Sequence, residues 1–306
     1  MRYGAVFPSA RLVKGFLLER AQFNIRLGVK NWLKAYVKAI LSAVRLRKLK
    51  RLENIFYVTN SSSKNFFHWF LDVAQKLTFI DEMEPKTEKP IIILIPYDHD
   101  QEYIDDCLDA FNLNFYRQSE NELLVSKPLF MLPDLAPTGN YRKDIVLLLR
   151  EKLRSAWLKR HLGGDCTSRL YITRKSAKKR KIANEEDLWP VLRKNGFDIV
   201  DFDELSFKQQ LQYALECEGL VSLHGAALTH MLWINDSAKV LEIRARGDSH
   251  NNCYFSLASD LGHEYHYALA DKVDATQTTQ QADFIVDPKD FEVRLCGMLE
   301  GVRPFE

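Results

Sequence analysis

Residues 219–228 read Gly219-Leu220-Val221-Ser222-Leu223-His224-Gly225-Ala226-Ala227-Leu228. A short apolar run of the length of a buried strand ends at Leu223, and a histidine with small residues after it opens the next element. In an open α/β sheet, ligands bind beyond the carboxyl ends of the strands, at the N-termini of the helices that follow. Gly225 and Ala226 would let backbone N–H groups approach a phosphate closely, and His224 would donate a hydrogen bond to it. The plainer reading is a tight strand-to-helix turn with a satisfied histidine, and the spacing alone does not choose between them.

Strands of the same kind recur on both sides, at 169–173 (RLYIT), 197–201 (FDIVD) and 239–243 (KVLEI). Helices fit between them. Ser206 with Gln209 forms a capping box, Asn184 with Asp187 a weaker one, and Asp287-Pro288 places a cap and an N1 proline before a helix at 288–301. The first half alternates similarly, with strands at 55–59 and 91–95, short strands near 123–132, and helices at 65–80, 101–111 and 141–161. His161-Leu162-Gly163-Gly164-Asp165 then stops the last of these helices. This alternation predicts an α/β protein of two Rossmann-like domains, 52–162 and 165–306, facing a cleft.

A chain of 306 residues with 46% hydrophobic and 27% charged side chains is long enough and apolar enough for two such cores, which excludes a disordered or collagenous protein. The five cysteines include no close pair, so reduced thiols in a cytoplasmic compartment are expected. No stretch approaches the roughly 18 uninterrupted apolar residues of a membrane span. The net charge of +2 conceals an asymmetry: residues 1–51 carry 13 Lys and Arg against Glu19 alone. Within this arm Trp32, Leu33, Tyr36, Val37, Ile40, Leu41 and Val44 form a helical apolar stripe, while Lys30, Lys34 and Lys38 line another face. Such a helix suits either an anionic membrane surface or the protein's own core. The aliphatic stripe argues against nucleic acid as the partner.

Four further groups carry chemistry. Seven basic residues lie between Arg169 and Lys181 with no acid among them, and Arg174, at the strand end, is best placed for a bidentate contact to a diphosphate; Lys175 and Arg180 accompany it. A solvated basic loop is the alternative. Glu242 interrupts an apolar strand, where a carboxylate needs a partner such as ribose hydroxyls. His68 and Asp72 share one helical face, as a general base and its orienting carboxylate do, or as a structural pair does. Asp98-His99-Asp100 and Asp201-Phe202-Asp203 are spaced to hold a divalent cation against a diphosphate, but acids also belong at helix starts such as the one after Asp203. His263 and His266 would face opposite sides of a strand, so no zinc site is expected.

Taken together, RLYITRKSAKKRKIANEEDL, GFDIVDFDELSFKQQLQYA, GLVSLHGAALTHMLWI and KVLEI, preceded by NFFHWFLD, resemble the core of glycosyltransferase family 61 in order over about residues 55–245. The resemblance implies a two-domain GT-B-type fold and inverting transfer of a sugar from a nucleotide diphosphate, typically UDP, with no bound metal and no other cofactor. Carried over by position, Arg174 and the turn of His224, Gly225 and Ala226 would hold the diphosphate, with Lys175 and Arg180 nearby and Glu242 on the nucleoside. His68 or Asp72 would supply the base. Surface-polysaccharide assembly on a saccharide or lipid-linked acceptor, at the inner face of the membrane, is the expected setting. No signal anchor of the kind found in larger secreted members is expected, and the basic arm is a further difference from them. The alternatives are a metal-dependent transferase using Asp98 and Asp100, and a non-catalytic assembly protein.

Overall fold

The structure, a computed structural model, describes residues 4–7, 11–12, 48–83, 90–120, 122–126, 128–160, 168–248 and 252–301. They form a mixed α/β protein that divides into two compact units, Met1–Leu135 and Ala136–Glu306. The first unit contains eight described strands: β1 (Gly4–Phe7), β2 (Arg11–Leu12), β3 (Lys48–Leu52), β4 (Ile55–Tyr57), β5 (Ile92–Ile95), β6 (Asn114–Arg117), β7 (Glu122–Ser126) and β8 (Leu129–Met131). One sheet has the order β2-β1-β7-β3, with β1 antiparallel to both neighbours. The other is wholly parallel in the order β6-β5-β4-β8.

The short strands expected near 123–132 form as β7 and β8, which join different sheets. Strands near both ends of residues 1–51 enter the sheet with β7. The helical stripe of residues 32–44 and its lysines lie outside the described residues.

Helix α1 opens at Asn65, whose side chain accepts from the Phe67 N–H at 3.0 Å. It runs as Phe66–His68, a π-helical turn Trp69–Val73, and Ala74–Met83. Trp69, Phe70, Leu71, Val73, Ala74 and Leu77 are all buried, so this helix is covered on most of its circumference rather than along one stripe. Even Lys76 is buried, its ammonium donating to the Val58 carbonyl and pairing with Asp134 at 2.6 Å. A short helix α2 (Glu102–Leu108) follows β5.

In the second unit, helix α3 (Lys143–Arg160) precedes β9 (Arg169–Thr173), β10 (Asp198–Asp201), β11 (Gly219–Leu223), β12 (Lys239–Ala245), β13 (Glu264–Lys272) and β14 (Phe284–Val286). The sheet order is β10-β9-β11-β12-β13-β14, parallel throughout except for the antiparallel edge strand β14. The central strand β11 is buried at every residue, which is why it reads as a continuous apolar run. Around the sheet lie α4 (Trp189–Lys194), α5 (Phe207–Leu215), α6 (Cys253–Leu261) and α7 (Pro288–Glu300). The Ser206–Gln209 capping box forms as expected, and Asp287 caps α7. Asn184 caps nothing; its side chain instead clasps both backbone groups of Val286 on the edge strand, at 2.8 and 3.0 Å.

The sequence assigns the helix at 141–161 to the first domain, yet α3 belongs to the second unit. The glycines at 163 and 164 expected to stop it lie outside the described residues. Arg150 reaches from α3 to the Met231 and Ile234 carbonyls at 2.8 and 2.5 Å, and Arg154 also donates to Ile234. The Met231 carbonyl lies within, and the Ile234 carbonyl just after, the segment that follows β11, Ala226–Leu232, a 3-10 helix where the sequence reading places a helix start. With its last carbonyls taken by arginines and by the His263 Nε2–H, the segment turns into β12 without lengthening.

Burial pushes both His230 and His263 down to about 4, from 6.5 in the unfolded chain. The unfolded state therefore binds more protons between those values, so the contribution of each residue is complete above pH 6.5 and is lost as pH falls towards 4. Chemical denaturation across that window should show a loss of about 2–4 kcal/mol per histidine. His263→Gln, which keeps a donor for Met231, should flatten the pH dependence; an unchanged slope would contradict this.

Candidate functional site

The order of the second sheet reverses at β9 and β11: the chain passes from β9 to β10 on one side, then continues from β11 to β13 on the other. Loops leaving the carboxyl ends of these two neighbouring strands therefore diverge to opposite faces and leave a crevice between them. Arg174 follows β9 and His224 follows β11, so the topology brings the two strongest sequence candidates to one place.

Arg174 lies against the turn that His224 opens. A Cβ built on Gly225 would lie 3.1 Å from the Arg174 Nη1, so glycine lets the guanidinium sit closer than a larger residue would. Arg174 Nε donates to the Arg180 carbonyl at 3.1 Å, while its terminal nitrogens make no hydrogen bond among the described residues. Arg180, in a left-handed conformation, spends one terminal nitrogen on the His224 carbonyl at 2.6 Å and the other on Gln280. Burial, and then the neighbouring Arg174, pull the Arg180 guanidinium below its usual value. Two cations held this close make a favourable place for an anion. Arg180 braces the turn, and Arg174 presents a free fork.

His224 is held from behind. Its Nδ1–H donates to Glu242 Oε1, its ring meets Tyr254 edge-on at 5.1 Å, and its backbone N–H extends the parallel ladder to the Ile243 carbonyl. Nε2 has no hydrogen bond among the described residues and the side chain is 15% exposed. The Glu242 carboxylate is only 1% exposed; its second oxygen accepts from the Tyr265 hydroxyl, and Arg244 stands 4.0 Å from the first. Both oxygens are thus engaged inside the protein. Glu242 holds His224, a partner that the sequence reading did not give it.

Other candidates separate by their partners. Lys175 is exposed, paired with Glu186 at 2.9 Å and lying over the Trp189 ring, so it faces a different neighbour from the one its place in the basic loop suggested. Ala226 begins the 3-10 segment, too short to give a helix-terminal anion site. Asp201 is consumed by the Ser176 N–H and hydroxyl and by the Asp203 N–H. In the first unit Asp98 pairs with Lys64 at 2.5 Å and with His99, and Asp100 accepts from Gln101. Among the described residues, no group of three or more His, Cys, Asp or Glu side chains is arranged to hold a metal ion.

His68 and Asp72 do form a pair, at 2.7 Å, and the structure adds that Asp72 lies in the π-helical turn. Such turns are frequent at functional sites. Asp72 is buried while His68 is 30% exposed on its side chain, so Nδ1 is tied to the carboxylate and Nε2 makes no hydrogen bond among the described residues.

Sequence reasoning missed two residues. Glu185 is buried and accepts from the Tyr171 and Thr173 hydroxyls at 2.7 and 2.6 Å, fastening the end of β9 on which Arg174 stands; its place in the Asn184-Glu185 pair was the available signal. Tyr265 sits diagonally across from Glu242, whose register partner on β13 is Tyr267, and only the strand pairing discloses that.

At the reversal of strand order, Arg174, Arg180 and Gly225 thus lie together beside a histidine held by a buried carboxylate. The Glycosyltransferase 61 family matches residues 66–241, more than half of the chain, and the chain belongs to that family. Among its relatives is the EGF domain-specific O-linked N-acetylglucosamine transferase of Bos taurus, 36% identical over 102 residues, which are 32% of this chain and 19% of that one. The protein of the same name from Drosophila melanogaster is 34% identical over 98 residues, 31% of this chain and 18% of the other, and that of Mus musculus 34% over 106 residues, 33% and 20%. The chain thus matches about a fifth of the length of these curated relatives.

Proposed function

We propose that this chain is a glycosyltransferase, an inverting enzyme of GT-B type that takes its sugar from a nucleotide diphosphate, a UDP-sugar first among them, and binds the diphosphate at the His224 turn. The supporting observation is the free Arg174 fork against Gly225, beside a His224 whose inner nitrogen is fastened to a buried carboxylate. With Nδ1–H on Glu242, a proton on Nε2 makes the ring a cationic donor aimed outward, and the carboxylate stabilises that charge. The N-acetylglucosamine in the relatives' name makes UDP-N-acetylglucosamine the first donor to try. Arg174→Ala and His224→Ala should each raise the UDP dissociation constant about tenfold or more, as expected for a lost charge-assisted hydrogen bond. Isothermal titration reads this directly, and unchanged affinity in both well-folded variants would place the diphosphate elsewhere.

In the reaction proposed, an acceptor hydroxyl attacks the anomeric carbon as the bond to the β-phosphate oxygen breaks, and the departing nucleotide keeps that electron pair. The accumulating charge falls on Arg174 and His224, which act in place of a metal ion. The hydroxyl proton goes to His68 Nε2, with Asp72 stabilising the imidazolium that results. Direct transfer to Asp72 is the second reading of the same pair. Loss of the base in His68→Ala should lower kcat by about 100-fold with UDP affinity within a few-fold. Normal turnover in that variant with a loss in Asp72→Asn would shift the proton to the carboxylate. A metal-dependent mechanism through Asp98 and Asp100 is weakened by the Lys64 and Gln101 contacts of those carboxylates, and EDTA distinguishes it.

The acceptor in this reading is a saccharide or lipid-linked sugar of surface polysaccharide assembly, used at the inner, cytoplasmic face of a membrane. The support is the basic stripe of residues 30–48. Among the described residues no helix is long and apolar enough to cross a membrane. At about 1 kcal/mol per lysine near an anionic surface, replacing Lys30, Lys34 and Lys38 with Gln should release the protein from phosphatidylglycerol vesicles in a sedimentation assay. Retention by the triple variant at low salt would argue that the stripe covers the protein's own core.

A further inference from the structure

Glu242 is a charged group at 1% exposure in the strand next to the centre of the sheet, and it survives there through its partners. One oxygen is matched to His224. The other accepts from Tyr265, whose ring is seated edge-on against Phe255 at 5.4 Å. We propose that Tyr265 is a positioning residue for the donor site: through Glu242 it sets the orientation and the proton affinity of His224. The functional meaning of this rests on the reading of the His224 turn as the diphosphate site.

The direction of the effect follows from the hydrogen bond. A hydroxyl donating to a carboxylate disperses its charge and makes it a weaker base, so the carboxylate holds the shared proton of the histidine less tightly. Without that donor the buried carboxylate is under-satisfied, and the His224–Glu242 pair keeps its proton to higher pH. The macroscopic titration belongs to the pair, whichever site carries the proton at a given moment. Other charged or titratable groups face it from every side: Arg174 and Arg180 in the loop after β9, Arg244 on β12 with Asp248 beyond it, and Cys253 and Tyr254 on α6. None of these takes the place of Tyr265 at the second oxygen: Arg244 bonds Asn252 and Asp248, touches the Tyr265 hydroxyl itself, and stands 4.0 Å from the carboxylate oxygen that His224 already occupies. Burial and the adjacent carboxylate raise the Tyr265 phenol far above its usual range, so it stays a donor throughout the working pH.

The test is an imidazole C–H NMR titration of the full chain, with the His224 signal assigned by its loss in His224→Gln. Tyr265→Phe keeps the ring and removes only the hydroxyl. The His224 midpoint should rise by roughly half a pH unit or more, the size that one hydrogen bond to a charged group gives, and the alkaline limb of UDP binding should move with it. A midpoint within about 0.1 pH unit of the unmodified protein, in a variant that melts cooperatively, overturns the proposal, since a packing role changes stability without moving the titration. Site-specific 3-fluorotyrosine at position 265 keeps the shape and strengthens the donor, so it covers the case in which Tyr265→Phe fails to fold; there the midpoint should fall, and a rise or no change overturns the proposal. The titration needs no nucleotide. If UDP affinity ignores His224 while the midpoint still shifts, the diphosphate reading fails and the proton coupling stands.

Discussion

A carboxylate in the interior of a parallel sheet is costly unless every lone pair finds a donor, and the second unit is arranged around meeting that requirement for Glu242. Its neighbours on β11 and β13 supply the matching groups: His224 from the end of one strand, Tyr265 diagonally from the other, with Arg244 one turn of the pleat along its own strand. The consequence for function is orientation. An imidazole fastened at Nδ1 has one free nitrogen, and the strand that carries it determines where that nitrogen sits.

The second requirement is topological. Reversal of strand order at β9 and β11 opens a crevice at their carboxyl ends whatever the side chains are, and the sequence fills it with cations rather than apolar residues. Buried Glu185 secures the end of β9 through two hydroxyls, Arg180 secures the His224 carbonyl, and Gly225 leaves room for the Arg174 guanidinium. Each of these contacts spends a polar group to keep another in place, and the surplus is the unpaired end of Arg174.

Much of this was legible in the chain. Strands β9, β11 and β12 were readable because largely buried parallel strands are near-continuous apolar runs, and the Ser206 and Asp287 caps because capping is a local matter settled within a few residues. The elements that escaped depend on contacts distant in sequence. Assignment of α3 to the second unit turns on Arg150 meeting carbonyls some eighty residues on, and the engagement of Glu242 with His224 spans eighteen. The acid pairs likewise have partners that their spacing does not disclose, Lys64 for Asp98 and Ser176 for Asp201. The π-helical turn that carries Asp72 has no sequence period of its own, so the His68 pair could be anticipated but not the irregular backbone beneath it.

The central claim is that the donor diphosphate lies where β9 and β11 end, and the most direct measurement is a structure of the full chain crystallised with UDP. The account predicts the β-phosphate within about 3 Å of both the Arg174 guanidinium and His224 Nε2, with the His224–Glu242 contact intact behind it. Nucleotide bound with its phosphates away from Arg174 and His224, for example at the loops that follow β4 and β5 in the first unit, would contradict it.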